Sequence, residues 1–104
     1  MRREFLRFKL HRATVSATDK DYVGSVTIPA GVCRRLDVGQ GEKCDVVNID
    51  TGARVTTYVI HGDKPGYICL NGAAARLFMR GDRIIVIGYC ELEPDEIQIG
   101  RAHD

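Results

Sequence analysis

The sequence predicts a mainly β domain, a small barrel carrying one or two short helices. Three observations predict it. Segments such as FLRFKLH alternate apolar and polar residues with the two-residue period of a half-buried strand. Turn-forming clusters, DKD, DTG, HGDKPG and RGD, recur between these segments at the close spacing of an all-β chain. The 104 residues, 44% of them hydrophobic, suffice for a single core, and no repeat or linker divides them. One domain over residues 1–104 follows.

Taken in order, FLRFKLH is the first strand, with Leu6, Phe8 and Leu10 directed to the core and Arg7, Lys9 and His11 sharing the other face. ATVSAT is a second short alternating run. DYVGSVTIP, residues 21–29, reads as a third strand built on Val23, Val26, Thr27 and Ile28, with Pro29 ending it. Gly24 is out of character there, because glycine weakens a strand interior, and by itself it implies a bulge or tight bend. After Pro29, AGVCRRLDV has the pattern of a short helix, with Val32 and Leu36 four apart on one face. CDVVNI and ARVTTYVI flank Asp50-Thr51-Gly52, a hairpin signal with glycine where a left-handed conformation is easiest. YICL is a short buried strand, NGAAARLF a turn into a small-residue helical segment, and RGDRIIVIGYCEL the most apolar strand. From Pro94 on the chain is polar, and about 95–104 is expected to be a poorly ordered tail.

Composition narrows the function. Fifteen Lys and Arg against fourteen Asp and Glu give a net charge of +1, which argues against a dedicated nucleic-acid binder and for a small-molecule or protein partner. Four scattered cysteines form no C-x-x-C pair and no histidine lies at metal-ligand spacing from them, so no metal is expected and the thiols read as reduced and mostly buried. MRREFLRFKLHR has charges throughout, unlike a signal peptide, and no apolar run is long enough for a membrane span. A cytoplasmic location is the expectation.

Single candidates are weak. Lys9 and His11 on one strand face are the ordinary pattern of a solvated face. Arg54 beside a turn is unremarkable. Tyr58, an even number of positions on, shares its face, and Thr57 lies on the opposite one. Asn71-Gly72 is by default a turn.

The combination is specific. KLHR, YVGS, NIDTGARVTTY and NGAAA stand in the order and spacing of the aspartate 1-decarboxylase family, which the chain resembles from about Phe5 to Pro94. That family consists of pyruvoyl-dependent lyases that make β-alanine for pantothenate and hence coenzyme A. The resemblance implies a double-psi β-barrel with RGDRIIVIG as its closing strand. It implies a zymogen that cleaves itself between Gly24 and Ser25 into a β chain, 1–24, and an α chain, 25–104. Ser25 becomes a covalent pyruvoyl group that forms a Schiff base with L-aspartate. Thr57 matches a position used in processing, and Tyr58 the proton donor to the carbanion. Arg54 is the residue for the side-chain carboxylate, since its planar fork can hold that group bidentately. Lys9 adds a second positive charge, His11 and Asn71 match pocket positions, and Gly72, Ala73 and Ala74 offer amides near the pyruvoyl group. A cytoplasmic homotetramer with sites between subunits is implied, and an accessory maturation factor is left open. Val23 departs from members that carry glutamate before the Gly-Ser pair, and the HGDKPG loop is about a residue shorter than in some.

Two other readings come from different classes. Swapped-strand barrels include DNA-binding regulators, for which Arg2, Arg3, Arg7, Lys9 and Arg12 would contact phosphate. A barrel that keeps the fold but never cleaves would serve as a binding protein.

Overall fold

Alternation dictates the architecture, and a two-residue link closes it. The computed structural model describes residues 1–96 and the backbone of 102–103. Its strands are β1 (Arg3–Thr14), β2 (Ala17–Asp19), β3 (Ser25–Pro29), β4 (Lys43–Asn48), β5 (Arg54–Gly62), β6 (Cys69–Asn71), β7 (Arg83–Leu92) and β8 (Ala102–His103), with helix α1 (Ala30–Leu36) after β3. They form one mixed sheet in the order β2-β6-β3-β5-β4-β7-β1-β8. β1 and β2 stand near opposite ends of that order, yet only Val15 and Ser16 separate them in sequence. The sheet must therefore curl until its ends meet, which makes a small barrel. Val15 N–H donates to Asp82 O at 2.9 Å and Ser16 N–H to Ile68 O at 2.8 Å, stitching the closure. The ATVSAT run expected as one strand is cut at this point, because those two residues bond to different loops.

Inside the barrel, rows of paired residues make the core. Val46 pairs with Val55 on β5 and Val86 on β7, while Val26 pairs with Val59 and Leu70. Phe8, Val26, Val46, Val59, Leu70, Ile84 and Val86 are fully buried, each worth roughly 1.5–3 kcal/mol relative to exposure. α1 closes one opening with Cys33 and Leu36, rather than through Val32, which is half-buried.

Three expectations change here. The register of β1 on β7 slips between Leu6 and Phe8, so Arg7 is the extra residue of a bulge. Its guanidinium leaves the solvated face expected for it, ion-pairs with Glu42 at 2.6 Å and lies 5.1 Å from the Phe8 ring centre. Leu6 is consequently only half-buried. The 21–29 segment is not one strand: β3 starts at Ser25, after a turn in which Tyr22 N–H reaches Asp19 O at 3.4 Å. β2 runs parallel to β6 and β3 antiparallel to it on the other side, so the chain must reverse across the end of β6 before pairing again. Finally, NGAAARLF becomes a 3-10 helix over Gly72–Leu77, with Asn71 still extended as the last residue of β6.

The hairpin signal holds, with Gly52 at φ +81° and Asn48 Oδ1 accepting from the N–H groups of Asp50 and Thr51. Of the tail, Asp95 and Glu96 belong to a 3-10 turn, and the backbone of β8 pairs with β1 at Phe8 and Lys9. Residues 97–101 and 104 lie outside the described residues.

Candidate active site

Ser25 opens β3 with its side chain buried, at 1% exposure. Antiparallel pairing sets Ser25 opposite Asn71 and Thr27 opposite Cys69, so all four side chains project from one face. The Asn71 carboxamide joins them. Its Nδ2 donates to Ser25 Oγ at 2.9 Å and to Thr27 Oγ1 at 3.0 Å, which engages both of its hydrogens. Its Oδ1 accepts from Cys69 Sγ at 3.2 Å. Burial pushes the Cys69 thiol up, so it keeps its proton at neutral pH and stays a donor. The hydrogen bond with Cys69 likewise raises the Tyr67 hydroxyl.

Directly before Ser25, two backbones cross without side chains. A Cβ on Gly72 would lie 2.5 Å from Gly24 Cα and 2.7 Å from Gly24 N, and Gly72 has φ +72°. Glycine at 72 is thus required twice, for conformation and for space. Beside the crossing is a cleft of about 370 Å³, lined among others by Asp19, Tyr22, Thr27, Tyr67, Cys69 and Asn71. A buried hydroxyl, a fixed amide donor and a backbone bend ending in glycine suit attack on the peptide bond between Gly24 and Ser25.

The remaining expected residues fall into a second group on the outer face. One cross-strand row runs Lys9–Ile87–Asp45–Thr56, and its neighbour runs His11–Ile85–Val47–Arg54. Tyr58, opposite Lys43, shares the face of Arg54 and Thr56, whereas Thr57 is paired with buried Cys44 and turns inward. Val26 pairs with Val59 in parallel, so one step back along that register brings Ser25, the first residue of β3, abreast of Tyr58. Ser25, Asn71, Gly24 and Gly72 are therefore brought together, with Thr57 and Tyr58 on the adjoining strand. Ala73 is exposed and Ala74 buried in the 3-10 turn that follows. Lys9 and His11 lie on β1, which is not adjacent to β3: β5, β4 and β7 intervene one way round the barrel, and β6 and β2 the other. Arg54 is set off from Tyr58 by four residues, about 13 Å along β5.

Arg54 has partners that the sequence did not reveal. Its Nη2 donates to Asp45 Oδ2 at 3.0 Å and to Tyr89 Oη at 2.9 Å. The Thr56 hydroxyl, donating at 2.7 Å, and then Arg54 hold the Asp45 carboxyl below its ordinary range. Among the described residues, the contacts of this guanidinium fall on Nη2, the nitrogen common to both of its bidentate edges, so a carboxylate would meet Nε–H or Nη1–H singly unless Asp45 or Tyr89 gives way. A cleft of about 360 Å³ opens here, lined by Glu4, Lys43, Cys44, Asp45, Thr56 and Tyr89. Burial pushes the Cys44 thiol up to about 12, so it takes no part as a nucleophile. Sequence reasoning missed Thr27 and Cys69 as well, although each lies two residues from a site residue on a strand and so shares its face.

Among the described residues, no three His, Cys, Asp or Glu side chains gather as a metal site, and no helix is long and apolar enough to cross a membrane. The family model for aspartate decarboxylase matches residues 1–103. An aspartate 1-decarboxylase of Caldicellulosiruptor bescii is 50% identical over 94 residues, covering 89% of this chain and 73% of the relative. One from Clostridium botulinum (strain 657 / Type Ba4) is 49% identical over 92 residues, or 88% and 72%. One from Helicobacter hepaticus is 47% identical over 98 residues, or 94% and 82%. The chain belongs to the aspartate decarboxylase family.

Proposed function

We infer that this member of the aspartate decarboxylase family removes the 1-carboxyl group of L-aspartate as CO2, leaving β-alanine for pantothenate biosynthesis, and that it matures by cleaving itself between Gly24 and Ser25. The observation that carries the maturation step is Ser25 itself: a buried hydroxyl, held by Asn71 at 2.9 Å, immediately after a glycine bend. Ser25 Oγ attacks the Gly24 carbonyl carbon. The C–N bond to Ser25 breaks as the ester bond forms, and the hydroxyl proton passes to the released nitrogen. Thr57, next to Tyr58 on β5, is the residue to stabilise charge on that carbonyl oxygen. The cut chain stays assembled, because β1 in 1–24 is paired with β7 along its whole length and β2 with β6.

The residues around position 25 fit a pyruvoyl group, since Asn71 Nδ2 is aimed at the side-chain oxygen and Gly72 packs against Gly24 directly before it. That group supplies a carbonyl that takes up the substrate amine and the electrons released with CO2. The chain's own residues bind and protonate. Arg54 supplies the cation for the side-chain carboxylate, because a cation fixed on the departing carboxylate would stabilise the ground state and oppose its loss. Lys9 adds positive charge and His11, in the same row as Arg54, completes that side of the pocket. The Tyr58 hydroxyl delivers the proton to Cα. Lys9 and His11 stand on a strand not adjacent to β3, and Arg54 is four residues along β5 from Tyr58, an arrangement compatible with a homotetramer whose neighbouring copies complete each site. The DNA-binding reading loses its basic arm, since Arg7 is held by Glu42 and Arg2 donates to Glu91 O at 2.7 Å.

Intact-mass measurement tests the maturation. Purified chain should appear as two fragments, one ending at Gly24 and one starting with a blocked, hydroxylamine-reactive residue. Ser25→Ala should remain a single chain and form no β-alanine. A wild-type chain that decarboxylates aspartate while uncleaved would refute the inference.

A further inference from the structure

We propose that Thr27 and Cys69 are positioning residues for self-cleavage, acting through Asn71 to aim one N–H of its carboxamide at Ser25 Oγ. The proposal rests on the processing reading above. A carboxamide has two orientations related by a flip of its end, and its neighbours select one. Thr27 Oγ1 accepts from Nδ2 at 3.0 Å, and Cys69 Sγ donates to Oδ1 at 3.2 Å, with a longer contact of 3.8 Å to Leu70 O. In the flipped state the two hydroxyls would have to donate to Oδ1, and the Nδ2 hydrogens would face a protonated thiol. Strand register holds the network in place, because Thr27 is two residues from Ser25 and opposite Cys69, itself two residues from Asn71.

The aimed N–H matters twice. In the attack it engages one lone pair of Oγ and fixes the hydroxyl while another lone pair meets the Gly24 carbonyl. After the acyl shift, Oγ is the bridging oxygen of an ester. Elimination then removes the Ser25 Cα proton to solvent, breaks the Cβ–Oγ bond and releases Gly24 as a carboxylate. Water replaces the nitrogen of the resulting enamine as ammonia. Negative charge grows on Oγ as it leaves, so a donor already aimed at it favours elimination. Without that donor the ester persists and water cleaves it instead, leaving serine at position 25. The network therefore governs the rate of cleavage and also which N-terminus results. Packing alone would not alter the identity of residue 25.

The test follows freshly purified full-length precursor by intact mass, scoring both cleavage and whether the large fragment starts with serine or pyruvoyl. Thr27→Val and Cys69→Ala should each slow cleavage by about fivefold or more, the rate equivalent of one lost hydrogen bond, and should raise the serine-starting fraction. Thr27→Ser and Cys69→Ser restore a hydroxyl at each position and should recover both readouts. Thermal unfolding identifies any variant unfolded at the assay temperature, and the other position then decides. Wild-type rate and product in Thr27→Val and Cys69→Ala would overturn the network while leaving processing intact. Failure of the serine variants to rescue would overturn it too, by showing that shape matters rather than the polar group. A wild-type chain that stays whole would instead remove the processing reading beneath it.

Discussion

At position 72 a hydrogen stands where any other residue would place a carbon 2.5 Å from Gly24 Cα. Gly72→Ala should push the Gly24 backbone away from Ser25 Oγ and so reduce self-cleavage by tenfold or more, by our estimate of about 1.4 kcal/mol or greater. It also forces φ +72° on a residue with a Cβ, a strain of roughly 1–2 kcal/mol that a melting curve will register. Gly66 separates the two effects. It has the same φ +72° but nothing within 4 Å of a Cβ, so Gly66→Ala should lower stability by a similar amount and still cleave at the normal rate. Equal cleavage by the two alanine variants would show that the crossing is irrelevant to processing. The Gly-Ser pair was legible as a cleavage site only through the resemblance carried by YVGS and its companion motifs, since a glycine in a strand implies by itself no more than a bend. The partner glycine was not, since Asn71-Gly72 has the form of any turn until the reversal over the end of β6 brings Gly24 against it.

Strands bring a different kind of dependence. Phe8 is fully buried because Gly88, opposite it on β7, leaves room for the ring; a Cβ at 88 would overlap the ring at 1.8 Å. Gly88→Ala should therefore destabilise the barrel by about 1–3 kcal/mol through overpacking, read from urea unfolding. Phe8→Leu shortens the ring to a branched aliphatic and should cost about 1–3 kcal/mol alone through lost volume. Together they should cost less than the sum, since the leucine makes space for the methyl. Strict additivity would mean that ring and glycine are not coupled. Phe8 and Leu10 were legible as core from alternation alone. The bulge that draws Arg7 to Glu42 was not, because a bulge is set by the partner strand and a distant carboxylate, neither of which local pattern records. The same holds for the start of β3, fixed by β6 rather than by the propensities of Tyr22 and Val23.

Across the whole molecule, two groups of residues face outward at different places on one closed sheet. Ser25, Asn71 and the adjoining Tyr58 form one group; Lys9, His11 and Arg54, in neighbouring cross-strand rows, form the other. The family resemblance proposed the members of both but not their placement, which depends on strand order: β5, β4 and β7 intervene one way round from β3 to β1, and β6 and β2 the other. A lysine side chain reaches about 6 Å, less than the combined spacing of the strands that intervene between β1 and β3 either way round. If both groups act on one aspartate, a neighbouring copy is the expected source of Lys9. Co-expression of differently tagged Lys9→Ala and Ser25→Ala chains tests this directly. Each variant alone should be nearly inactive, one for lack of the binding cation and the other for lack of the pyruvoyl precursor. Mixed oligomers, isolated through both tags, should contain some sites that draw intact Ser25 from one variant and intact Lys9 from the other, and those sites should make β-alanine. Doubly tagged oligomers without activity would place both residues in the same chain's site and overturn the shared-site reading.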